Sequence, residues 1–351
     1  MTRDTRGATS DAPLYIVTGG AGFIGANLCA ELVRREPSAE LVVIDDFRTG
    51  SFLNLTEAFS RAGLGAFGGI VQPDSVGDID WGDALDALRP RAVFHLGAIT
   101  DTLVHDQREM LRVNTETFAP ILHNCLEARV PLVYASSGAT YGTPPHADRR
   151  EPFPEDAAGR PSNVYGFSKW LMDAEASRAL RDDTGDARVV GLRYFNVFGP
   201  GEHRKGAMAS MVWHLTNQVL DGKRPRLFKR GEHARDQVPV VDIVGGTIHA
   251  ALDAGVRSGV YNLGSGVTTT FNDIARGIGE ALGVDAEPEY FDMPEHMVDT
   301  YQSYTCADMT RTRERMGWSP SVSPADAIRS YAAWIRDQRA AGSAVGVGSV
   351  V

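Results

Sequence analysis

An α/β fold, a doubly wound parallel sheet carrying a smaller C-terminal lobe, is predicted by three observations. Strand-like apolar runs recur with helical patterns between them, a glycine-rich turn joins the first run to the first helix, and the 351 residues exceed the usual size of a single core. Ligands in such sheets sit beyond the carboxyl ends of the strands.

The expected strands are Leu14 to Thr18, Leu41 to Asp45, Ala92 to Leu96, Leu132 to Ser136 and Val189 to Tyr194. Each is a short Val, Ile or Leu-rich run of the kind buried on both faces of a parallel sheet. Between them the 3.6-residue periodicity predicts helices over Phe23 to Arg35, Trp81 to Leu88, Arg108 to Ala128 and Tyr165 to Asp182. After Gly199-Pro200 the alternation weakens. A helix from about Met208 to Leu220, a strand near Arg226 to Phe228, a loop through Asp236 and a helical region from Thr270 to Ile335 read as a second lobe, with Gly259 to Gly264 returning to the first sheet. The expected division is a leader at 1–12, a dinucleotide-binding domain at 13–200 and 237–265, a substrate lobe at 201–236 and 266–336, and a flexible tail at 337–351.

Thr18-Gly19-Gly20-Ala21-Gly22-Phe23-Ile24-Gly25 follows the first strand and opens the first helix. The glycines permit a tight turn and close approach of backbone, and the helix N-terminus offers N–H groups to a pyrophosphate. Gly19, Gly22, Phe23, Ile24 and Gly25 are therefore dinucleotide contacts. Asp45, twenty positions beyond Gly25, ends the second strand, where a carboxylate accepts from an adenosine ribose and repels a 2′-phosphate. Asp46 adds a second negative charge, so NAD is favoured. Arg48 keeps NADP open, because a guanidinium clamps a 2′-phosphate; it reads equally as a solvated loop arginine.

Tyr165 and Lys169 lie one helical turn apart and share a face. The lysine favours the phenolate, lowering a pKa that starts at about 10, which makes Tyr165 an acid/base for an alcohol. Ser137, after a buried strand, either caps a backbone group or hydrogen-bonds the reacting oxygen at the carboxyl edge; its place at that edge favours the second.

Composition excludes other classes. Hydrophobic residues make up 43% and charged residues 23%, and the net charge of −10 argues against non-specific nucleic-acid binding. Cys29, Cys125 and Cys306 have neither disulfide-framework nor zinc spacing. The leader has no apolar core and no run of about 18 apolar residues occurs, so a cytoplasmic enzyme with neither metal nor membrane partner is expected.

The glycine-rich loop, Asp78-Ile79, His95-Leu96-Gly97-Ala98, Asn114, Ser136-Ser137, Tyr165 with Lys169, and Tyr194-Phe-Asn-Val-Phe-Gly-Pro200 fall in the order used by extended short-chain dehydrogenase/reductases, which the chain resembles. The resemblance implies a Rossmann sheet and adds Asp78, Ile79, Leu96, Gly97, Ala98, Asn114, Tyr165 and Lys169 to the cofactor contacts. Within that superfamily, Ser136-Ser-Gly-Ala-Thr-Tyr-Gly142, Lys205-Gly-Ala-Met-Ala-Ser210, Leu227-Phe228, Arg235-Asp236 and Tyr301-Gln302 are similar to ADP-L-glycero-D-manno-heptose 6-epimerases. That similarity implies a dehydrogenase triad of Ser137, Tyr165 and Lys169, with Lys205 as a second acid/base. It implies nucleotide-sugar contacts at Ser136, Ser137, Asn196, Lys205, Ser210, Leu227, Phe228, Arg235 and Tyr301. The chain departs from the family pattern at His203-Arg204 before Lys205, at Phe52, where a basic residue is usual, and at Val238-Pro239.

Chemistry independently gives Lys205 a task. Inverting a secondary alcohol through a ketone requires the intermediate to present its opposite face, so its oxygen points somewhere new and needs a second proton donor there. Lys205 reads otherwise as a surface lysine or, beside His203 and Arg204, a phosphate contact. Arg235 reads as a pyrophosphate clamp or as a surface arginine paired with Asp236. The leading expectation is epimerisation of ADP-D-glycero-D-manno-heptose at C6 through a transient ketone, with the dinucleotide retained and the enzyme a homo-oligomer. The alternatives are a UDP-hexose 4-epimerase, a dTDP-hexose 4,6-dehydratase, disfavoured by Gly138-Ala139 in place of an Asp-Glu pair, and a non-catalytic dinucleotide sensor.

Overall fold

The strand–helix alternation is present in the computed structural model, which describes residues 12–102, 106–182, 187–293 and 302–342. The first half contains β1 (Leu14–Thr18), α1 (Phe23–Arg35), β2 (Glu40–Ile44), α2 (Phe52–Arg61), β3 (Ile70–Gln72), α3 (Trp81–Leu88), β4 (Ala92–His95), α4 (Gln107–Leu111), α5 (Phe118–Glu127) and β5 (Leu132–Ser137). It continues through α6 (Pro145–Asp148), α7 (Val164–Asp182), β6 (Val189–Tyr194), β7 (Asn196–Phe198), α8 (Met211–Leu220), β8 (Arg226–Phe228), β9 (Ala234–Pro239) and α9 (Val240–Leu252). The last elements are β10 (Gly259–Leu263), β11 (Thr268–Thr270), α10 (Phe271–Leu282), β12 (Glu289–Phe291) and α11 (Pro324–Ala340).

Seven strands form one parallel sheet in the order β10-β6-β5-β4-β1-β2-β3. Alternate side chains serve opposite faces. Tyr15 and Val17 join the core under α1, α2 and α9, whereas Leu14 and Ile16 join the core under α3, α5 and α7. A third core, built from Val212, Leu215, Leu227, Phe271, Ile274, Ile328 and Ile335, packs α8, α10 and α11 together as the smaller lobe. Two small sheets, β11-β9-β7 and β12-β8, complete that lobe.

The structure departs from the sequence expectations in several places. The helix expected over Arg108 to Ala128 is broken by a π turn at Arg112–Glu116, and the loop expected through Asp236 is strand β9. Helices α2, α6 and α9 and strands β3, β7 and β11 arise where none was expected, and strand β12 interrupts the region expected to be helical over Thr270 to Ile335. Helix α9 is apolar on nearly every side and rich in β-branched residues and glycine, so it shows no helical stripe. The lobe boundary at 236/237 falls inside β9, and α11 runs through Ala340 into the expected tail. Residues 1–11 and 343–351 lie outside the described residues. The three cysteines are free and buried, and among the described residues no helix is long and apolar enough to cross a membrane.

Candidate functional site

A cavity of about 940 Å³ opens at the carboxyl ends of the central strands, between the large sheet and the smaller lobe. Its floor is the glycine-rich turn. Gly19 has φ of +66°, and a Cβ there would stand 2.6 Å from the Gly97 nitrogen; one on Gly25 would stand 2.2 Å from the Gly19 carbonyl oxygen. Only glycine lets the β1 and β4 turns and helix α1 approach so closely. Gly22 is the N-cap of α1, and no side chain among the described residues caps it. Gly19, Gly22, Phe23, Ile24 and Gly25 all line the cavity, so the bare helix end and glycine cradle fit a dinucleotide pyrophosphate.

Asp45 is buried beside this turn. Its carboxylate accepts from the Ala21 N–H at 2.9 Å and the Phe47 N–H at 3.0 Å, and burial raises its pKa. It therefore braces the glycine turn as well as lining the cavity. Asp46 and Arg48 stand at the exposed rim, 3.5 Å apart, with Arg48 also 3.2 Å from Glu109. Leu96, Gly97 and Ala98 form the adjoining wall.

Asn114 supports that wall without lining the cavity. Placed by the π turn, its side-chain oxygen accepts from the Ile99 N–H at 2.7 Å, and its Nδ2 donates to the Ile99 carbonyl at 2.9 Å and to Ser168 Oγ at 3.0 Å. Asp78 and Ile79 also stand outside it. A short turn at Val76–Asp78 presents Ser75 and Val76 instead, leaving Asp78 exposed and Ile79 packed on the core.

Ser136, Ser137, Tyr165 and Lys169 meet at the carboxyl end of β5. Ser137 caps the following turn, accepting from the Ala139 N–H at 3.1 Å, and its hydroxyl is near enough to the Tyr165 phenol to pull its pKa down. Lys169 is buried and donates to the Ala135 carbonyl at 2.8 Å; burial holds its ammonium down at about 8, against an upward pull from Asp173. The expected lowering of the Tyr165 pKa is corrected here. Burial raises it, and only Ser137 opposes that. Helical spacing reports proximity but not desolvation, and here desolvation is the larger effect.

Across the cavity, the segment Glu202–Met208 carries Lys205, whose Nζ lies 5.5 Å from the centroid of the Phe23 ring. Lys205 is exposed by surface area, yet desolvation of its ammonium at the cavity lowers its pKa, and the buried Glu202 carboxylate partly offsets this. Glu202 is fixed by donors from Gly199 N–H at 3.1 Å and from Ser210 N–H and Oγ at 2.6 and 2.9 Å. Ser210 caps α8 by accepting from the Trp213 N–H at 3.1 Å. Asn196, Ser210 and Arg235 also line this side.

Arg235 and Asp236 diverge because neighbours on a strand point to opposite faces. The Asp236 carboxylate is taken by Ser265, Gly266 and Ala307, so the reading of an arginine paired with Asp236 does not hold. Leu227 and Phe228 stand apart from the cavity. Leu227 is core to the smaller lobe, and Phe228 packs on Phe291, 4.5 Å between ring centroids, across the β8–β12 pair. Tyr301 lies outside the described residues.

Sequence reasoning missed Asn54, Arg204, Gln237 and Phe271 as cavity residues. Gln237 was within reach: reading 234–239 as a strand puts it on the face of Arg235. Arg204 was not, since it joins Asn54 at 3.0 Å and Glu57 at 2.7 Å on helix α2, 147 residues away from Glu57.

The family model for the NAD dependent epimerase/dehydratase family matches residues 15–264. ADP-L-glycero-D-manno-heptose-6-epimerase from Helicobacter pylori is 30% identical over 92% of this chain and 95% of that one, with a TM-score of 0.78. UDP-glucose 4-epimerase from Thermotoga maritima, solved with UDP-glucose, is 26% identical over 93% and 99%, with a TM-score of 0.77. UDP-N-acetylglucosamine 4-epimerase from Methanobrevibacter ruminantium, at 22% identity over 94% and 100% and a TM-score of 0.79, shares the fold.

Proposed function

Because the chain belongs to the NAD dependent epimerase/dehydratase family, we propose that it inverts one secondary alcohol of a nucleotide sugar by transient oxidation to a ketone. The observation that carries this reading is that two ionisable side chains able to serve as acid/bases, Tyr165 from α7 and Lys205 from the loop before α8, line one cavity. When bound at the glycine cradle, the nicotinamide supplies the two-electron oxidation and re-reduction of a carbon. The chain's residues manage the oxygen. Tyr165 takes the hydroxyl proton, Ser137 hydrogen-bonds the oxygen, and the Lys169 ammonium stabilises negative charge developing nearby. Lys205 returns a proton to the oxygen once the ketone has turned its other face. A pKa lowered from the ordinary lysine value eases proton release from its ammonium.

For the substrate, we read ADP-D-glycero-D-manno-heptose, inverted at C6. The Lys205 to Ser210 motif and the likeness to the Helicobacter pylori enzyme support it. Arg235, Asn196 and the N-terminal end of α8 at Ser210 would take the pyrophosphate. The likeness to the Thermotoga maritima enzyme supports a second reading, inversion at C4 of a UDP-hexose. In either case residues 13–200 and 237–265 would hold the dinucleotide and 201–236 with 266–336 the sugar nucleotide, in a cytoplasmic homo-oligomer.

The test is proton NMR of the purified protein with each nucleotide sugar in turn, without added cofactor, alongside assay of the dinucleotide released on denaturation. Inversion of the heptose with co-purified dinucleotide supports the first reading. Inversion of the UDP-hexose alone replaces it with the second. Bound dinucleotide with no inversion of either would overturn both substrate readings while leaving the family intact.

A further inference from the structure

We propose that Asp173 is a positioning residue of the acid/base centre, clamping strand β5 to helix α7 so that Lys169 meets the Ala135 carbonyl, and supporting the lysine's positive charge. This rests on the reading of Tyr165 and Lys169 given above. Tyr165, Lys169 and Asp173 follow one another at four-residue intervals and so lie along one face of α7. Strand β5 runs beside that face, and each of the three meets it in turn. Asp173 accepts from Tyr134 Oη at 3.0 Å and Ser136 Oγ at 2.9 Å, the two residues that flank Ala135. Lys169 donates to the Ala135 carbonyl between them at 2.8 Å, and Tyr165 lies against Ser137 one residue further on.

Gripping β5 on both sides of Ala135 fixes the height at which Lys169 and Ser137 stand relative to the phenol. Arg193 Nε closes the site from β6, donating to Asp173 Oδ2 at 2.8 Å, while its Nη1 donates to the Glu155 carbonyl at 2.7 Å and to Tyr141 Oη at 3.2 Å. Asp173 is 3% exposed and Arg193 6%, so neither is a surface ion pair. The charged and titratable groups around Lys169 are Tyr165 and Asp173 from its own helix, His95 from β4, Tyr134 from β5 and Arg193 from β6. His95 stays neutral, burial holding it down at about 3, and Tyr134 is held protonated well above its ordinary range. Asp173 is thus the one negative charge in that set. Losing it removes the attraction on Lys169 and leaves Arg193 uncompensated, and both changes drive the ammonium toward its neutral form.

The experiment titrates Lys169 directly in the full-length protein by ¹³Cε-lysine NMR. The sequence has four lysines, Lys169, Lys205, Lys223 and Lys229, so single substitutions assign each signal. In wild type Lys169 is expected to titrate at about 8. In Asp173→Asn the midpoint moves down by about one unit or more, and Asp173→Glu restores it toward the wild-type value. Should Asp173→Asn fail to fold, Asp173→Asn with Arg193→Met removes both members of the pair and leaves no stranded charge; Lys169 still titrates below wild type in it. A folded variant lacking the Asp173 charge whose Lys169 midpoint matches wild type overturns the proposal. The pH profile of turnover separates this from the catalytic reading, because a shift in the NMR midpoint with an unmoved alkaline limb leaves the Asp173 assignment standing and removes Lys169 from the chemistry.

Discussion

Tyr165 has to work against its surroundings, since burial raises the pKa of its phenol and Ser137 only partly compensates. The phenol therefore needs its neighbours held in place, and it is the group whose loss is most specific. Tyr165→Phe removes one oxygen and keeps the ring; it is expected to cut inversion by about 10²- to 10⁴-fold while the dinucleotide released on denaturation stays at the wild-type ratio. Lys205→Met removes the second proton donor and keeps the stem packed near Phe23. It is expected to slow inversion by about 10²-fold or more, with dinucleotide content again unchanged; wild-type turnover in this variant would make Lys205 a bystander. At this scale the sequence revealed which residue types cluster, because i to i+4 spacing on α7 is a property of the chain alone. It could not reveal the sign of the Tyr165 shift, which depends on how far the fold desolvates the phenol.

The glycine turn, the loop before α8 and the π turn behave as units. Gly25→Ala would push a methyl group to within 2.2 Å of the Gly19 carbonyl oxygen, so the start of α1 must move; the variant is expected to lose its bound dinucleotide and unfold at a lower temperature, read by released-cofactor assay and thermal melts. The loop before α8 is tied to the first domain twice. Arg204 bonds Asn54 and Glu57, while Arg61 bonds Asn27 at 2.6 Å, which donates to the Pro200 carbonyl at 3.0 Å. Arg204→Met is expected to raise amide hydrogen exchange over 201–208, and Glu57→Gln to do so less, with the core strands unchanged. Elements with strand-like Val, Ile and Leu runs were legible, as in β1, β5 and β6. The π turn was not, because it is stabilised by Asn114 reaching Ile99, 15 residues back. Leu227 and Phe228 illustrate a motif carried over by likeness whose residues here build the lobe's core and the β8–β12 pair rather than the cavity wall.

Taken as a whole, the molecule joins a parallel sheet to a three-helix lobe through a cavity whose polar groups come from both sides, and this arrangement also sets its response to acid. His95 is fully buried against Phe118, with Nδ1 2.8 Å from Thr18 Oγ1. Its pKa is about 3 in the fold against about 6.5 in an unfolded chain. Below about pH 6.5 the unfolded chain binds a proton that the native one refuses, so stability falls as pH drops from there toward 3. His95→Gln is expected to be less stable at neutral pH, through lost stacking, yet to lose stability less steeply over that window in denaturant titrations; parallel slopes would contradict the assignment. The parallel, doubly wound character of the large sheet was readable from the alternation of strand and helix, whereas the order of its strands and the contents of the cavity depended on long-range pairing, with β7 and β9 returning beside it. The central claim is that inversion proceeds by removing and returning the same carbon-bound hydrogen within one cavity. It is tested most directly by running the reaction in ordinary water on a nucleotide sugar deuterated at the inverting carbon and reading the product by NMR. Deuterium retained at that carbon after inversion is the predicted result, and replacement by solvent hydrogen would contradict the account.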